Sequence, residues 1–269
     1  MDERKLPLPG KHETVRAILS LDNPPRLYLF THLIYILNMD RYNRQTMLPE
    51  IGAAGQEKIR RAKVLLVGVG GLGSSIALYL TGAGIGTLGL VDDDVVDHSN
   101  LQRQVLYAED ELGLSKAEQA RQRLERLNSE VHIQTYPYRL TAENADSLIA
   151  PYDLVIDGCD NFATRYLIND ACVRLGKIYV YGSIRAFDGQ VAVFNHPEHP
   201  VNYRTLYPDE EEMLSMPAPP KGVMGVTPGV VGCVEACEAL KIITGFGEPL
   251  IGKLWTIDLR TMQSNIILL

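Results

Sequence analysis

The chain has 269 residues, of which 46% are hydrophobic and 22% charged, a composition typical of a globular protein with one large core. Its net charge of -7 and pI near 5.4 argue against a nucleic-acid-binding surface, because nothing would offset the repulsion of the phosphates. A soluble metabolite or a small protein is the better expectation for a partner.

The lack of a recognisable targeting signal and the cysteine usage both predict a cytoplasmic protein. The 4 cysteines form no CxxC pair, so reduced thiols are expected rather than a disulfide framework. An apolar run at residues 27–37 is too short to cross a bilayer, and no membrane association is predicted. The recognisable pattern opens at Met39. Residues 1–38 are therefore predicted to be an appended extension, or the product of an upstream start codon, ahead of a domain at 39–269.

From Lys63 the sequence alternates between short aliphatic runs and helical patterns. In chain order, the predicted elements are a strand at Lys63–Val67, a helix at Ser74–Ala83, a strand at Thr87–Val91, a helix at Ser115–Asn128, a strand near Val131–Tyr136, a helix at Thr141–Ala150, a strand at Leu154–Asp157, a helix at Ala163–Leu175 and a strand at Ile178–Tyr181. This alternation predicts an α/β fold: a Rossmann-like, doubly wound, mostly parallel sheet with helices on both faces.

The pattern changes after Gly189. Gln190–Phe194 is predicted to be a strand that turns back on its predecessor, and the polar, proline-rich stretch from Asn195 to Lys221 is predicted to be a functional or mobile loop. A helix at Val226–Thr244 and two strands, Leu254–Leu259 and Ser264–Leu268, follow. The C-terminal region is thus expected to be an antiparallel extension of the sheet.

A glycine-rich turn, Gly68–Gly73, joins the first predicted strand to its helix. Glycines let the backbone approach phosphate oxygens, and the following helix N-terminus supplies N–H donors and a partial positive charge. Asp92 ends the next strand, where a carboxylate can accept hydrogen bonds from ribose hydroxyls. Strand, turn, helix and acid together predict nucleotide binding.

Three charged residues beyond Asp92 favour ATP over a nicotinamide. Arg103 and Lys116 can place two fixed cations near a triphosphate, which a hydride-transfer site does not need. Nucleotidyl transfer needs such cations because charge builds on the phosphate oxygens in the transition state. Asp160 follows the strand Leu154–Asp157 and is a natural Mg²⁺ ligand at that edge of the sheet.

In combination, these motifs resemble the ThiF/MoeB/HesA family, bacterial relatives of the ubiquitin-activating enzymes, from about Met39 onward. The residues that carry the resemblance are Arg41–Gln45, Gly55–Gln56, the glycine-rich turn, Ser99–Gln104, Lys116 and Cys159–Asn161. Leu78–Gly86 and Ala163–Arg165 lean towards the thiamine-pathway branch rather than the molybdopterin branch.

The resemblance implies an adenylyltransferase that uses ATP and Mg²⁺. The C-terminal Gly-Gly carboxylate of a small ubiquitin-like sulfur carrier would attack the α-phosphate of ATP, forming an acyl-adenylate and releasing pyrophosphate. It also implies a homodimer, in which Arg44 reaches the nucleotide of the opposite subunit. Carried over by position, Gly71 would contact the phosphates, Asp92 the ribose, Asn100, Arg103 and Lys116 the triphosphate, and Asp160 the Mg²⁺; Gly70, Gly73, Asp94, Ser99, Leu101, Gln102 and Asn161 complete the implied nucleotide site.

The chain also departs from this family's pattern. Many members hold a structural zinc with two CxxC pairs, but the first pair is missing from Asn202–Thr205 and the second would follow Leu269. No zinc is therefore expected, and packing must hold the C-terminal region. The covalent cysteine of some members is also absent near Ala218, so an adenylating step without a covalent cysteine intermediate is predicted.

Other functions remain open on the sequence alone. A specialised member could adenylate a different peptide or carboxylate. Loss of the zinc and the cysteine could instead mark a non-catalytic nucleotide-binding scaffold, although a scaffold has no need for a complete set of phosphate-binding charges. A nicotinamide dehydrogenase is the weakest reading, because no candidate proton donor accompanies the glycine-rich turn.

Overall fold

The computed structural model describes residues 41–217 and 222–269. The chain divides into a unit that ends at Arg44 and a unit from Gln45 to Leu269, and the fold given below is that of the second unit. The predicted extension 1–38, its apolar run and the position of Ala218 lie outside the described residues. Within the described part of the chain, no helix is long and apolar enough to cross a membrane.

One eight-stranded sheet forms the centre of this unit, in the order β3-β2-β1-β4-β5-β6-β7-β8. The first five strands are parallel and the last three antiparallel, which confirms the predicted fold class. The strands are β1 (Lys63–Val67), β2 (Thr87–Val91), β3 (His132–Tyr136), β4 (Leu154–Asp157), β5 (Ile178–Arg185), β6 (Asp188–Phe194), β7 (Lys253–Asp258) and β8 (Gln263–Leu268).

Helices cover both faces of the parallel part of the sheet. They are α1 (Gly52–Arg61), α2 (Gly71–Ala83), α3 (Lys116–Leu127), α4 (Ala145–Ile149), α5 (Phe162–Leu175), α6 (Tyr203–Leu206), α7 (Glu210–Ser215) and α8 (Val226–Thr244). Alternate residues of β1 enter different cores: Leu66 packs with residues of α2 and α8, and Leu65 with residues of α4 and α5. Burial on both faces explains why β1 reads as a continuous aliphatic run.

Three elements begin or end three or more residues from the predicted position. The helix predicted at Thr141–Ala150 begins only at Ala145. α2 begins at Gly71 rather than Ser74, because the glycine-rich turn itself supplies the first helical turn despite the low helix propensity of glycine. β5 continues past Tyr181 to Arg185, where it pairs with Asp188 at the start of β6. The result is a tight hairpin in which Ala186 has a positive φ of 52°.

The prediction of a loop from Asn195 to Lys221 is wrong for its central part, which forms α6 and α7. Tyr203 of α6 is fully buried, and its ring centroid lies 4.9 Å from that of Tyr207 and 5.3 Å from that of Tyr181. The burial of Tyr203 could not be predicted from the sequence, because its neighbours are mostly polar and a single buried aromatic side chain produces no hydrophobic periodicity. Asn202–Thr205, the position of the first CxxC pair in zinc-binding family members, is therefore a capped helical turn held by aromatic packing.

An acid lies in the core between α8 and the sheet. Glu235 is 0% exposed, and neither carboxyl oxygen has a hydrogen-bond partner among the described residues. A Cβ added at Gly182 of β5 would collide with this carboxyl group, so glycine makes the room for it. Burial, with a further contribution from the Asp157 charge, raises the pKa of Glu235 well above its ordinary value, against the opposing effect of Arg165.

Replacing Glu235 with glutamine is expected to stabilise the protein increasingly as the pH rises above about 4.3, the ordinary pKa of glutamate. Above that pH the unfolded chain releases the proton while the folded state keeps it. Wild-type stability therefore falls by up to about 1.4 kcal/mol per pH unit until the raised pKa is reached, whereas glutamine has no proton to lose.

Urea unfolding at several pH values between about 5 and 8 measures this difference between wild type and Glu235→Gln. The exposed Glu211 provides the control, because Glu211→Gln removes a carboxylate that stays in water. A stability difference for Glu235→Gln that is the same at every pH would contradict the prediction.

Candidate active site

An open cleft of about 1190 Å³ lies at the carboxyl ends of β1, β2 and β4. β1 lies between β2 and β4, so the chain crosses from one side of β1 to the other at this point. Ligands of doubly wound sheets bind at such a switch point. Eight predicted site residues line the cleft: Gly70, Gly71, Asp92, Asp94, Arg103, Lys116, Asp160 and Asn161.

The glycine-rich turn lies directly against the turn that follows β4. Gly68 has a φ of +90°, and a Cβ at this position would lie 2.6 Å from the carbonyl carbon and oxygen of Gly158. A Cβ on Gly73 would collide with the carbonyl oxygen of Gly68. These glycines are required by backbone packing, whereas a Cβ at Gly70 would meet no atom closer than the Gln104 side chain at 3.5 Å. Gly70 therefore leaves space at the N-terminus of α2, where a phosphate is favoured by the helix dipole.

Asp92 fastens the glycine-rich turn to the end of β2. Its carboxylate accepts hydrogen bonds from the N–H of Val69 at 2.7 Å and from the N–H of Asp94 at 2.9 Å. Burial raises the pKa of Asp92, and the two backbone hydrogen bonds oppose that shift. Each oxygen keeps lone-pair capacity for a ribose hydroxyl, so both a structural role and the predicted one fit the geometry.

Lys116, predicted to be a cation beside the phosphates, lines the cleft but is largely buried. Its ammonium group lies 3.0 Å from Asp94 Oδ2; the Lys116 side chain is 6% exposed and that of Asp94 70%. The backbone N–H of Lys116 also donates to the carbonyl of Asp94, at 3.0 Å. An ammonium group has three donors, so Lys116 can hold Asp94 and still donate into the cleft.

Arg103 reaches the cleft from a compact turn. The carbonyl oxygen of Asn100 accepts the N–H groups of Arg103 and Gln104 at 3.0 and 2.9 Å, and Arg103 Nη1 donates to the carbonyl of Ser99 at 3.1 Å. No carboxylate of residues 45–217 and 222–269 forms an ion pair with Arg103. The guanidinium is therefore a cation with no carboxylate partner in this part of the chain, as phosphate binding requires.

Some predicted residues are not brought to the cleft lining. Gly73 packs inside the turn, and Ser99 to Gln102 form a 3₁₀ turn and its continuation behind Arg103. Gln102 packs instead against Gly225 at the start of α8. Arg44 is exposed and belongs to the N-terminal unit. Contact of these residues with a nucleotide stays a prediction.

Asp160 lies in the turn between β4 and α5 with an exposed side chain. The neighbouring Asn161 caps α5 by accepting the N–H of Thr164 at 2.9 Å, and its amide is 3.5 Å from Asp160 Oδ1. Mg²⁺ is usually bound by one or two carboxylates together with substrate phosphates, so the exposed carboxylate of a residue that lines the cleft fits this ion. The described residues contain no group of three or more His, Cys, Asp or Glu side chains arranged to hold a metal.

Sequence reasoning missed several residues that line the cleft, and one residue that supports the glycine-rich turn from outside the lining. Gln104 is 5% exposed, and its buried Oε1 has no partner among the described residues. Tyr107 donates its hydroxyl to the carbonyl of Val69 at 2.7 Å and so supports the glycine-rich turn. Only the presence of Gln104 in the family motif hinted at a role. Other parts of the cleft wall come from β5 to β8, α7 and the residue after α6, including Arg185, Gln190, Tyr207, Leu214, Thr256 and Asn265.

Comparison with known proteins extends these observations. The ThiF family pattern matches residues 42–269. The "Sulfur carrier protein adenylyltransferase" of Thermus thermophilus is 50% identical over 225 residues, which cover 82% of this chain and 83% of that protein. The "Probable adenylyltransferase/sulfurtransferase MoeZ" of Mycobacterium tuberculosis is 46% identical over 231 residues, which cover 84% of this chain and 59% of that protein.

A solved structure agrees in fold. The crystal structure of E. coli MccB with ATP has a TM-score of 0.75 at 24% identity, covering 85% of this chain and 71% of that one. At this level of identity the likeness speaks for the fold alone. The family match and the two relatives show the family as well as the fold: this chain belongs to the ThiF family, whose adenylyltransferases use ATP.

Proposed function

We propose that this chain uses ATP to adenylate the C-terminal Gly-Gly carboxylate of a small ubiquitin-like sulfur carrier. The observation that carries the proposal is the cleft itself, which combines the N-terminus of α2, the carboxylate-free guanidinium of Arg103, the ammonium of Lys116 and the exposed carboxylate of Asp160. The relative named as a sulfur carrier protein adenylyltransferase supports the choice of substrate. Residues 39–269 are the proposed catalytic domain, and the protein is proposed to be cytoplasmic.

The residues of the cleft suit this chemistry. A carboxylate oxygen of the carrier attacks the α-phosphorus, the bond to the bridging oxygen breaks, and pyrophosphate leaves with that electron pair. Arg103 and Lys116 donate to phosphate oxygens as negative charge increases on them. Mg²⁺ held by Asp160 would neutralise part of the same charge. Asp92 orients the ribose while holding the glycine-rich turn in place.

The cysteines support a reaction without a covalent thiol intermediate. Cys159 is the one cysteine among the described residues that lines the cleft. Its thiol is buried, and burial together with the Asp157 charge raises its pKa well above the ordinary value. Since the thiolate is the reactive form, this thiol is a poor nucleophile at neutral pH.

Wild-type enzyme incubated with ATP, Mg²⁺ and a Gly-Gly-tailed carrier is therefore expected to form no reducible conjugate with the carrier. Non-reducing electrophoresis and intact-mass spectrometry detect such a conjugate, and the carrier adenylate in the same sample serves as the positive control. A conjugate that disappears on adding dithiothreitol would contradict this part of the proposal.

A homodimer with composite sites is part of the proposal. The exposed face of α2 carries Tyr79, which is 61% exposed and lies beside Cys233 of α8. An exposed aromatic side chain on an otherwise apolar helix is suited to a subunit contact. Mixing two inactive variants, Arg44→Ala and Asp160→Ala, tests this, because mixed dimers would contain one intact site. Activity that does not recover on mixing would count against sharing of Arg44 between subunits.

ATP–pyrophosphate exchange tests the function as a whole. Exchange that depends on a Gly-Gly-tailed carrier is the expected result, and the same carrier lacking its last glycine is the matched control. Exchange supported by another peptide or carboxylate would change the substrate and keep the chemistry. ATP binding in calorimetry without exchange under any condition would overturn the proposal in favour of a nucleotide-binding scaffold.

A further inference from the structure

The backbone of Cys159 is held from two sides by a buried ion pair. Asp157, the last residue of β4, accepts the N–H of Cys159 on Oδ1 at 2.9 Å. Arg165 of α5 donates from Nη2 to the carbonyl of Cys159 at 3.0 Å. Arg165 Nε in turn lies 3.1 Å from Asp157 Oδ2. One ion pair therefore closes around both backbone polar groups of a single residue.

This ion pair is itself fixed by the surrounding core. The side chains of Asp157 and Arg165 are 0% and 6% exposed. Tyr179 donates its hydroxyl to Asp157 Oδ2 at 2.8 Å, and Arg165 Nη2 also lies 3.4 Å from the carbonyl of Gly182 on β5. Two strands and one helix thus determine where the ion pair lies, and the ion pair determines where Cys159 lies.

Asp160 is the next residue, and its side chain has little support of its own. The carboxylate is exposed, and the nearest described side-chain partner is the Asn161 amide at 3.5 Å, a long contact. The carbonyl of Cys159, which Arg165 holds, belongs to the peptide bond that leads into Asp160. The direction of the Asp160 side chain therefore depends on the backbone that the ion pair fixes.

We infer that Asp157 and Arg165 are a positioning pair, which aims the Asp160 carboxylate at the Mg²⁺ and phosphates in the cleft. The inference rests on the proposed function. Stability alone is a weak reason for this arrangement, because replacing a buried ion pair with neutral side chains of similar volume is often neutral or stabilising. Groups that orient a metal ligand without touching the metal commonly affect its affinity.

The double variant Asp157→Asn/Arg165→Met tests the inference without leaving an unpaired buried charge. ATP binding is measured by calorimetry with and without Mg²⁺, and protection of the Cys159 amide by hydrogen–deuterium exchange. The Mg²⁺ concentration that gives half of the full gain in ATP affinity is expected to rise about 10–100-fold, while affinity without Mg²⁺ stays the same. The Cys159 amide is expected to lose protection.

A matched control uses an exposed ion pair between α5 and the neighbouring helix α4. Arg174 of α5 and Asp146 of α4 lie 2.6 Å apart and are 54% and 51% exposed, so Asp146→Asn/Arg174→Met is expected to leave both measurements unchanged. Should the double variant of the buried pair fail to fold, the single variant Arg165→Lys keeps a cation beside Asp157 but loses the second guanidinium nitrogen, which holds the Cys159 carbonyl, and an increase in Mg²⁺ requirement in the same direction is expected.

The outcomes separate this inference from the proposed function. If wild type binds ATP with Mg²⁺ yet shows no exchange with any carrier, the proposed function fails while the binding comparison still tests the pair. A folded variant with wild-type Mg²⁺ dependence overturns the inference. So does an equal loss of ATP affinity with and without Mg²⁺, which would mean that the pair only supports the fold.

Discussion

Replacing Arg103 with alanine is expected to lower carrier-dependent ATP–pyrophosphate exchange by about 10²–10³-fold, the usual effect of removing one donor aimed at developing transition-state charge. Arg103 lines the cleft beside the glycine-rich turn, and no carboxylate in the described part of the chain neutralises it. The charge is therefore available to phosphate oxygens. An equal or larger loss is expected for Asp160→Ala, measured by the same exchange assay.

The control for these variants is an exposed arginine elsewhere on the surface. Arg126 is exposed on α3 and does not line the cleft, so Arg126→Ala is expected to retain wild-type exchange. Circular dichroism and the unfolding midpoint must match those of wild type, because a folding defect would also reduce exchange. A folded Arg103→Ala variant with wild-type exchange would remove Arg103 from the site and weaken the proposed function with it.

Replacing Tyr203 with alanine is expected to lower the free energy of unfolding by about 3–5 kcal/mol, the range for deleting a large buried aromatic ring. Tyr203 is fully buried, and its ring contacts Tyr166, Tyr181 and Tyr207 at centroid distances of 5.1, 5.3 and 4.9 Å. Alanine would leave a cavity among rings that hold α6 to the sheet. Urea unfolding measures the loss.

The matched variant Tyr203→Phe separates the ring from its hydroxyl. The hydroxyl oxygen is buried and has no hydrogen-bond partner among the described residues, so its removal is expected to leave stability unchanged or raise it by about 1 kcal/mol. If Tyr203→Phe were as damaging as Tyr203→Ala, the aromatic packing would not be what holds this segment. Added zinc is expected to change neither result.

The ion pairs of α6 are a smaller contribution to the same region. Arg204 lies 2.7 Å from both Asp170 of α5 and Glu210 of α7. The hydrogen bonds that Arg204 donates to both carboxylates raise its pKa, so Arg204 stays charged. Because these three side chains are between one third and two fifths exposed, we expect solvent to screen the pairs and the buried rings to dominate stability.

The sequence predicts the sheet and the place of the site because both depend on local patterns. β1 and β4 are continuous aliphatic runs, and a parallel sheet places the residues after such runs at one edge. The glycine-rich turn and Asp92 follow two neighbouring strands, so their meeting could be predicted without coordinates. Asp160 follows β4 and reaches the same cleft for the same reason.

The sequence does not reveal which partner each side chain takes. Lys116 and Asp94 are both predicted site residues, yet their pairing depends on how the turn after β2 lies against the start of α3. The placement of Ser99 to Gln102 behind Arg103 depends in the same way on the contact between Gln102 and α8. Contacts between elements far apart in sequence leave no periodic trace in either of them.

By itself, then, the sequence determined the α/β architecture, the edge of the sheet where the cleft lies and the family resemblance, since strand, turn and acid follow each other at short spacings. The tertiary structure decided the rest: the burial of Tyr203 and Glu235, the packing of Gly68 on Gly158, and the ion pair that holds Cys159 ahead of Asp160. These features arise where separate strands and helices pack together. The close packing between them determines which polar groups are buried away from water.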